Sequence, residues 1–279
     1  MTRPGRRVRI ESPFPDARVA PMRVRRILPV LFFAAGFLAV PPSSAQPPAV
    51  IPVALFVDGG VGGKGPDMFE ETANATADLK VARVTGADIR AGKLKGFRVI
   101  VVPGGSGSGE AKALDAAGRE AVKAFVRDGG CYVGICAGCY LASTGYPWSL
   151  DLLPAKVIDR ANWLRGTGML KVEFTAHGKE WMRPAEPLAV CKYANGPILE
   201  AIPGSREKLI PLAYFREELV PNGAKPGVMV DTPAAVAARY GRGWAIGVSP
   251  HPEQTDGLKQ IVPSAIRWAV SHPAGGWRE

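Results

Sequence analysis

Over residues 51–135 short apolar runs alternate with stretches of helical spacing. Residues 51–57 form an apolar, β-branched run closed by Asp58-Gly59-Gly60, and a helix is predicted over 66–78. A second strand fits 80–85. A third fits 97–102, apolar except for Arg98 and stopped by Pro103-Gly104-Gly105-Ser106. Within 111–127, Leu114, Ala117, Ala121, Val122, Phe125 and Val126 recur at the spacing of one helix face. Gly129-Gly130 ends that helix and opens the run Cys131-Tyr-Val-Gly-Ile135, short and apolar enough to be a central strand. This order predicts an α/β fold, a doubly wound, mostly parallel sheet with helices on both faces. Functional groups then belong at the carboxyl ends of its strands.

From 144 to about 240 the pattern is broken by prolines and glycines. Strands are predicted at 157–159, 169–174, 188–193, 208–214, 226–230 and 234–240, read as an antiparallel insertion or extension of the sheet. Periodicity returns at the C-terminus. Gly243-Trp-Ala-Ile-Gly-Val-Ser249 reads as a strand, Pro250-His251-Pro252-Glu253 as its exit, and 258–270 as a helix despite Pro263. No internal repeat is evident.

The chain has 279 residues, 47% hydrophobic and 22% charged, which suits compact globular structure with a sizeable core. A formal charge of +10 suggests nucleic acid until its distribution is read. Residues 1–45 hold eight arginines against two acidic residues, which leaves the rest with 27 basic and 23 acidic side chains. A nucleic-acid partner is therefore not expected. Arg23, Arg25 and Arg26 precede an apolar run over 27–40, then Pro41-Pro-Ser-Ser-Ala45 with small residues at Ser43 and Ala45. That layout predicts a signal peptide cleaved after Ala45, an exported (periplasmic or secreted) protein and a single domain over 46–279. The apolar run is too short to span a bilayer comfortably, so no stable membrane span is expected after cleavage. Either Met1 or Met22 could be the start.

Export implies an oxidising compartment, in which the redox state of Cys131, Cys139 and Cys191 stays open. Cys136 and Cys139 form a C-x-x-C, but zinc would need a second ligand pair and Cys191 stands alone. A redox role for the pair competes with the reading of Cys131 and Cys139 as small buried residues. The glycine-rich Asp58-Gly-Gly-Val-Gly-Gly-Lys64-Gly65 departs from a phosphate loop at both ends: Asp58 stands at the first glycine position and Gly65 replaces the metal-binding hydroxyl. The reading therefore names no cofactor and no metal.

Gly134-Ile-Cys136-Ala-Gly138 is the thiol counterpart of a nucleophile elbow. Small neighbours permit a strained strand-to-helix turn, and amides of a helix beginning near Ala137 favour a thiolate. A cysteine nucleophile needs a base and a group to orient it. His251 leaves a predicted buried strand with Glu253 two residues on, on the same side of an extended segment. His177 reads as an exposed turn residue and His272 as part of a polar tail, so neither is the candidate base. Gly104 or Gly105 would offer unhindered amides at the same sheet edge, an oxyanion site together with the amide of Ala137.

Gly134-Ile-Cys136-Ala-Gly138 and His251-Pro-Glu253 together resemble the class I glutamine amidotransferase-like superfamily. Within it the chain is most similar to the biotin-protein ligase N-terminal domain, through Pro103-Gly-Gly105, Gly134-Ile-Cys-Ala-Gly-Cys-Tyr-Leu-Ala142, Arg165-Gly-Thr-Gly168 and Tyr193-Ala-Asn-Gly-Pro197. The resemblance covers roughly 50–270 and implies a flavodoxin-like sheet and a Cys136, His251, Glu253 triad. ATP-binding, ammonia-receiving and biotin-ligase machinery are missing from the sequence. Ala137 where a related peptidase and chaperone-like branch has histidine argues against that branch. The expectation is a hydrolase in which Cys136 attacks a carboxamide or related acyl carbon of a small-molecule or peptide-like substrate. The competing reading is a ligand-binding domain without turnover, with Tyr193, Asn195, Trp148 and Trp163 around a groove. Substrate identity and oligomeric state are not legible.

Overall fold

The computed structural model describes residues 49–221 and 223–276; the predicted leader over 1–45 lies outside the described residues. In chain order the elements are β1 (Ile51–Phe56), α1 (Gly65–Asn74), β2 (Leu79–Val84), α2 (Gly86–Arg90), β3 (Val99–Val102), α3 (Gly107–Arg127), β4 (Cys131–Ile135), α4 (Ala137–Ala142) and β5 (Ala155–Val157). There follow β6 (Thr167–Phe174), α5 (Ala176–Met182), β7 (Leu188–Ala194), β8 (Leu199–Ala201), β9 (Ile210–Phe215), β10 (Pro233–Tyr240), β11 (Gly243–Val248) and α6 (Ile261–Ser271).

The main sheet has the order β2-β1-β3-β4-β11-β10-β9-β6-β7, and β5 pairs with β8 in a separate ribbon. From β2 to β11 all neighbours are parallel. From β11 to β7 every pairing is antiparallel. The middle region is therefore an extension of the sheet, not an inserted unit. The two halves differ in patterning for a physical reason. β3, β4 and β11 are buried at every position because helices cover both faces, whereas β6 alternates exposed and buried residues because one face meets water.

Two apolar layers hold the helices to the sheet. Phe69 of α1, Trp181 of α5 and Ile261 and Trp268 of α6 pack on one face with Val53, Val133 and Ile246. Ile89 of α2, Leu114 and Val122 of α3 and Leu141 of α4 pack on the other with Ala54, Ile100 and Tyr132. Each fully buried Val, Ile or Leu contributes about 1.5–3 kcal/mol through removal from water. The arrangement is the predicted doubly wound, flavodoxin-like one, with the exits of β1, β3, β4 and β11 at one edge.

Several elements differ from the sequence pattern. Residues 226–230, predicted as a strand, form turns in which the Gly227 amide donates to Glu218 Oε1 at 2.7 Å. Residues 176–182, read as part of a strand-only region, form α5, capped by Thr175 Oγ1 accepting from the Gly178 amide at 3.0 Å. His177 is accordingly on an exposed helix face, edge-on to Trp181, rather than in a turn. Helix α3 starts four residues earlier than predicted, capped by Ser106, and is kinked at Asp115, whose φ is 56°. The carboxylate of Asp115 restarts the helix by accepting from the amides of Ala117 and Gly118 at 2.8 and 3.1 Å. Among the described residues no helix is long and apolar enough to cross a membrane.

Candidate active site

The turn from β4 into α4 places Cys136 at φ 51°, ψ −100°, a conformation that L residues rarely adopt. Its flanking glycines are there for room. A Cβ on Gly134 would fall 2.3 Å from the carbonyl oxygen of Gly138, and one on Gly138 would fall 2.1 Å from that of Val102. The Cys136 amide donates to Val248 at 2.8 Å and the Gly138 amide to Pro103 at 3.1 Å, so the elbow is tied to both neighbouring strand exits. The turn is held from both sides, which is how a strained residue persists.

His251 follows β11 and is fixed by backbone pairing with β7: its amide donates to the carbonyl of Lys192 at 2.7 Å, and Thr255 Oγ1 donates to its carbonyl at 2.9 Å. Glu253 Oε1 lies 2.8 Å from His251 Nδ1, with both side chains buried. That pairing leaves the other ring nitrogen, Nε2, without a bond to Glu253, and the ring lies against Gly104 together with the Cys136 side chain. Burial pulls the imidazole pKa down, but its interactions with Cys136 and Glu253 outweigh that and raise it to about 10. His251 is therefore a cation at neutral pH, an imidazolium held by Glu253 beside Cys136. Cys136 Sγ also lies 3.4 Å from the carbonyl of Ala194, where a thiol would donate.

Two residues that sequence reasoning missed complete this chain of contacts. Gln254 Nε2 donates to Glu253 Oε1 at 2.9 Å, and Lys192 Nζ donates to Gln254 Oε1 at 2.6 Å. The lysine fixes which end of the amide faces the carboxylate. Gln254 Nε2 also lies 3.1 Å from His251 Nδ1, a donor-to-donor approach when the ring is cationic, so its bond is the one to Glu253. The signal available was the position of Gln254, directly after His-Pro-Glu.

The glycine-rich 58–65 segment does not shape a phosphate cradle; it packs on the exit of β3. The Gly62 amide donates to Gly104 at 3.0 Å and the Ser106 amide to Gly60 at 2.7 Å. Its last residue, Gly65, starts α1 against the triad, since a Cβ there would fall 2.8 Å from Glu253 Oε1. The helix start thus faces the carboxylate, a favourable dipole arrangement.

Gly104 is buried against the triad: a Cβ on it would fall 2.8 Å from His251 Cε1 and 3.6 Å from Cys136 Cβ. Gly105, with φ 151°, is exposed and lines the pocket above Cys136. Among the described residues the amides of Gly104, Gly105 and Ala137 donate to no backbone carbonyl. Gly104 thus packs beside Cys136, Ala137 follows it in sequence, and Gly105 lines the same pocket.

The pocket measures about 380 Å³, and its lining includes Cys136, Ser106, Trp148, Trp163 and Asn195. Asn195, at φ 52°, accepts from the Gly166 amide at 2.7 Å and docks the Arg165–Gly168 motif on the Tyr193–Pro197 motif. Tyr193 is a correction. It is fully buried, its hydroxyl donates to Gly196 at 2.7 Å, and its ring packs edge-on to Phe215, so it supports the wall rather than lining a groove. Tyr140 takes the lining position instead, its hydroxyl donating to the Asn195 carbonyl at 3.2 Å.

Cys136 and Cys139 point into opposite layers of the protein, Cys136 with Val133 and Ile246 and Cys139 with Leu141 and Tyr132. All four cysteines are free thiols. Burial pushes the thiols of Cys131 and Cys191 up to about 12, and that of Cys139 higher still. These three are buried apolar side chains, and the C-x-x-C spacing makes no redox pair. Among the described residues no cluster of three His, Cys, Asp or Glu could hold a metal ion.

Sheet order and elbow together define a glutamine amidotransferase-like fold, and solved structures agree. The chain is similar to the PurLQS structure from Thermotoga maritima, with TM-score 0.58 and 15% identity over 78% of this chain and 99% of that one. It is similar to a ThuA-like protein from Bacteroides uniformis, with TM-score 0.55 and 16% identity over 85% of this chain and 97% of that one. A crystal structure of a glutamine amidotransferase matches with TM-score 0.52 and 17% identity over 79% of this chain and 99% of that one. Residues 93–163, from the approach to β3 through the elbow to Trp163, match the family model described as biotin-protein ligase, N terminal. No curated protein matches the chain.

Proposed function

We propose that the chain is an exported cysteine hydrolase that cleaves the C–N bond of a carboxamide or related acyl compound. The observation that carries this reading is the buried His251, bonded to Glu253 and packed with Cys136 against Gly104 at the strained elbow. With His251 cationic, the sulfur of Cys136 attacks the acyl carbon, and charge develops on the acyl oxygen facing the free amides of Gly104 or Gly105 and Ala137. Each such donor contributes on the order of 10²–10³ in rate. As the C–N bond breaks, His251 gives its proton to the departing nitrogen and becomes neutral. It then takes a proton from the water that attacks the thioester, so that an acid is released and the imidazolium returns. Glu253 holds the ring in one orientation through both steps.

Incubation with phenylacetic acid p-nitroanilide and intact-mass spectrometry tests this reading. A phenylacetyl adduct on the wild-type chain that is missing in Cys136→Ala supports it. Equal adducts in the two proteins, or none in either with no nitroaniline released, sinks it. Export rests on the basic, apolar and small-residue segments of 23–45; the mature N-terminus of protein recovered from fractionated cells, expected at Gln46, tests it.

A further inference from the structure

The pocket over Cys136 has two unlike walls. One is aromatic: the Tyr146 and Trp148 rings stack at 4.5 Å and 13°, Tyr140 meets Tyr146 edge-on at 6.3 Å, and Trp163 is 51% exposed beside them. Exposed tryptophan surface next to a nucleophile is apolar area available for a ligand to cover. Trp148 and Trp163 were visible as candidates in the sequence; Tyr140, Tyr146 and Arg160 were not.

Arg160 stands at the edge of that wall. Its guanidinium lies 4.2 Å from the centre of the Tyr146 ring, and its Nη1 and Nε donate to the carbonyls of Gly145 and Val157 at 3.0 and 3.3 Å. Two backbone bonds and a ring fix its plane. Among the described residues no carboxylate pairs with it, whereas the nearby Arg165 is buried and paired with Asp159. A fixed guanidinium without a counter-ion, on the wall of a small pocket, suits a carboxylate.

We infer that the compound attacked by Cys136 is a small carboxamide carrying a flat apolar group, held against Trp148 and Trp163, and an anionic group, held by Arg160. The inference rests on the hydrolase reading for its chemistry but on different residues for its selectivity. A purely aliphatic amide would leave the tryptophan wall uncovered. A polyanion would find one cation where several are needed.

Calorimetric titration of the Cys136→Ala protein with three related compounds provides the test. Phenylacetylglutamine carries ring, carboxylate and carboxamide; acetylglutamine lacks the ring; the methyl ester of phenylacetylglutamine lacks the charge. Phenylacetylglutamine should bind about tenfold or more tighter than either of the others. Arg160→Gln should erase its advantage over the ester, and Trp163→Ala or Trp148→Ala its advantage over acetylglutamine. Affinities within about twofold of one another, no binding of any compound at millimolar concentration, or preferences that survive these substitutions would overturn the inference. Release of ammonia or phenylacetate by the wild-type chain is read separately. Selective binding without release keeps the assignment of the ligand's aromatic and anionic groups and removes the attack by Cys136; release at equal rates from all three keeps the hydrolase and removes that assignment.

Discussion

Glu253 accepts from His251 Nδ1 at 2.8 Å across a single intervening proline, and the carboxylate oxygen that makes this bond also accepts from Gln254. The three side-chain functions of His251, Glu253 and Gln254 are thus supplied by four residues in a row, the short turn Pro252–Gln254 and the histidine before it, packed against the start of α1. The charge state of His251 follows from this geometry and not from exposure to solvent.

The imidazole should therefore titrate far above an ordinary histidine. The folded value of about 10 lies above the usual 6.5, so the stability it contributes is complete below about 6.5 and is lost as pH rises toward 10. Histidine-labelled NMR of the wild-type chain should show one ring cationic throughout pH 6–9. Glu253→Gln should bring that titration down, because the group bonded to Nδ1 loses its charge. A wild-type midpoint below 7 would contradict the arrangement.

Adding one methyl group at Gly104 should disable the site while leaving the sheet in place. The new Cβ would stand 2.8 Å from His251 Cε1, and the ring, held by Glu253, has little freedom to retreat. Misplacement by about 1 Å costs on the order of 10²-fold in a positioned reaction. Gly104→Ala should lower the rate of Cys136 alkylation by iodoacetamide by about that factor, with a thermal midpoint within a few degrees of wild type. An unchanged alkylation rate would mean that the ring does not govern the sulfur.

Lys192 and Gln254 act as positioning residues. Gln254→Ala removes one of the two donors to Glu253 Oε1, and Lys192→Met releases the amide that makes it. A hydrogen bond to a charged group is worth about 1.5–3 kcal/mol, part of which water returns. Both variants should slow Cys136 alkylation by about tenfold and shift the His251 titration, with little additional effect in the double variant because the two residues lie in one chain. Full additivity, or an unmoved titration, would reduce the pair to a surface contact.

The parts of the fold that were legible in the sequence are those where one physical constraint dominates. Cys131–Ile135 is buried on both faces, so its apolar run gave its limits directly. His251 and Glu253 were legible because an extended exit puts alternate residues on one side. Tyr193 was misplaced although the same alternation held the answer: in β7, Cys191 and Tyr193 are buried while Val190 and Lys192 are not, so the tyrosine shares the face of a core cysteine. Helix α5 was hidden by its length of seven residues, too short for a periodic signal. Arg160 and Tyr146 lie in the stretch between α4 and β6, where the regular elements are only three residues long, and only the folded chain brings them beside Cys136.

Glu110 offers a test of the core next to the site. It lies in the first turn of α3, fully buried, and neither carboxyl oxygen has a hydrogen-bond partner among the described residues. Burial alone raises its pKa well above the ordinary 4.5, so the folded protein holds it as a neutral acid where the unfolded chain would ionise it. For a raised carboxyl the sign is destabilising on the alkaline side. The cost is absent below about pH 4.5, where both states are protonated, and grows with pH by up to about 1.4 kcal/mol per unit until the folded group also ionises. Glu110→Gln cannot ionise and escapes this cost, although it leaves a buried amide of similar size. Urea unfolding at pH 4, 6 and 8 should therefore show the variant gaining on wild type at each step, even if it begins slightly less stable at pH 4. A stability difference that stays constant across that range would show Glu110 to be ionised or solvated in the folded state, and the buried neutral acid would have to be abandoned.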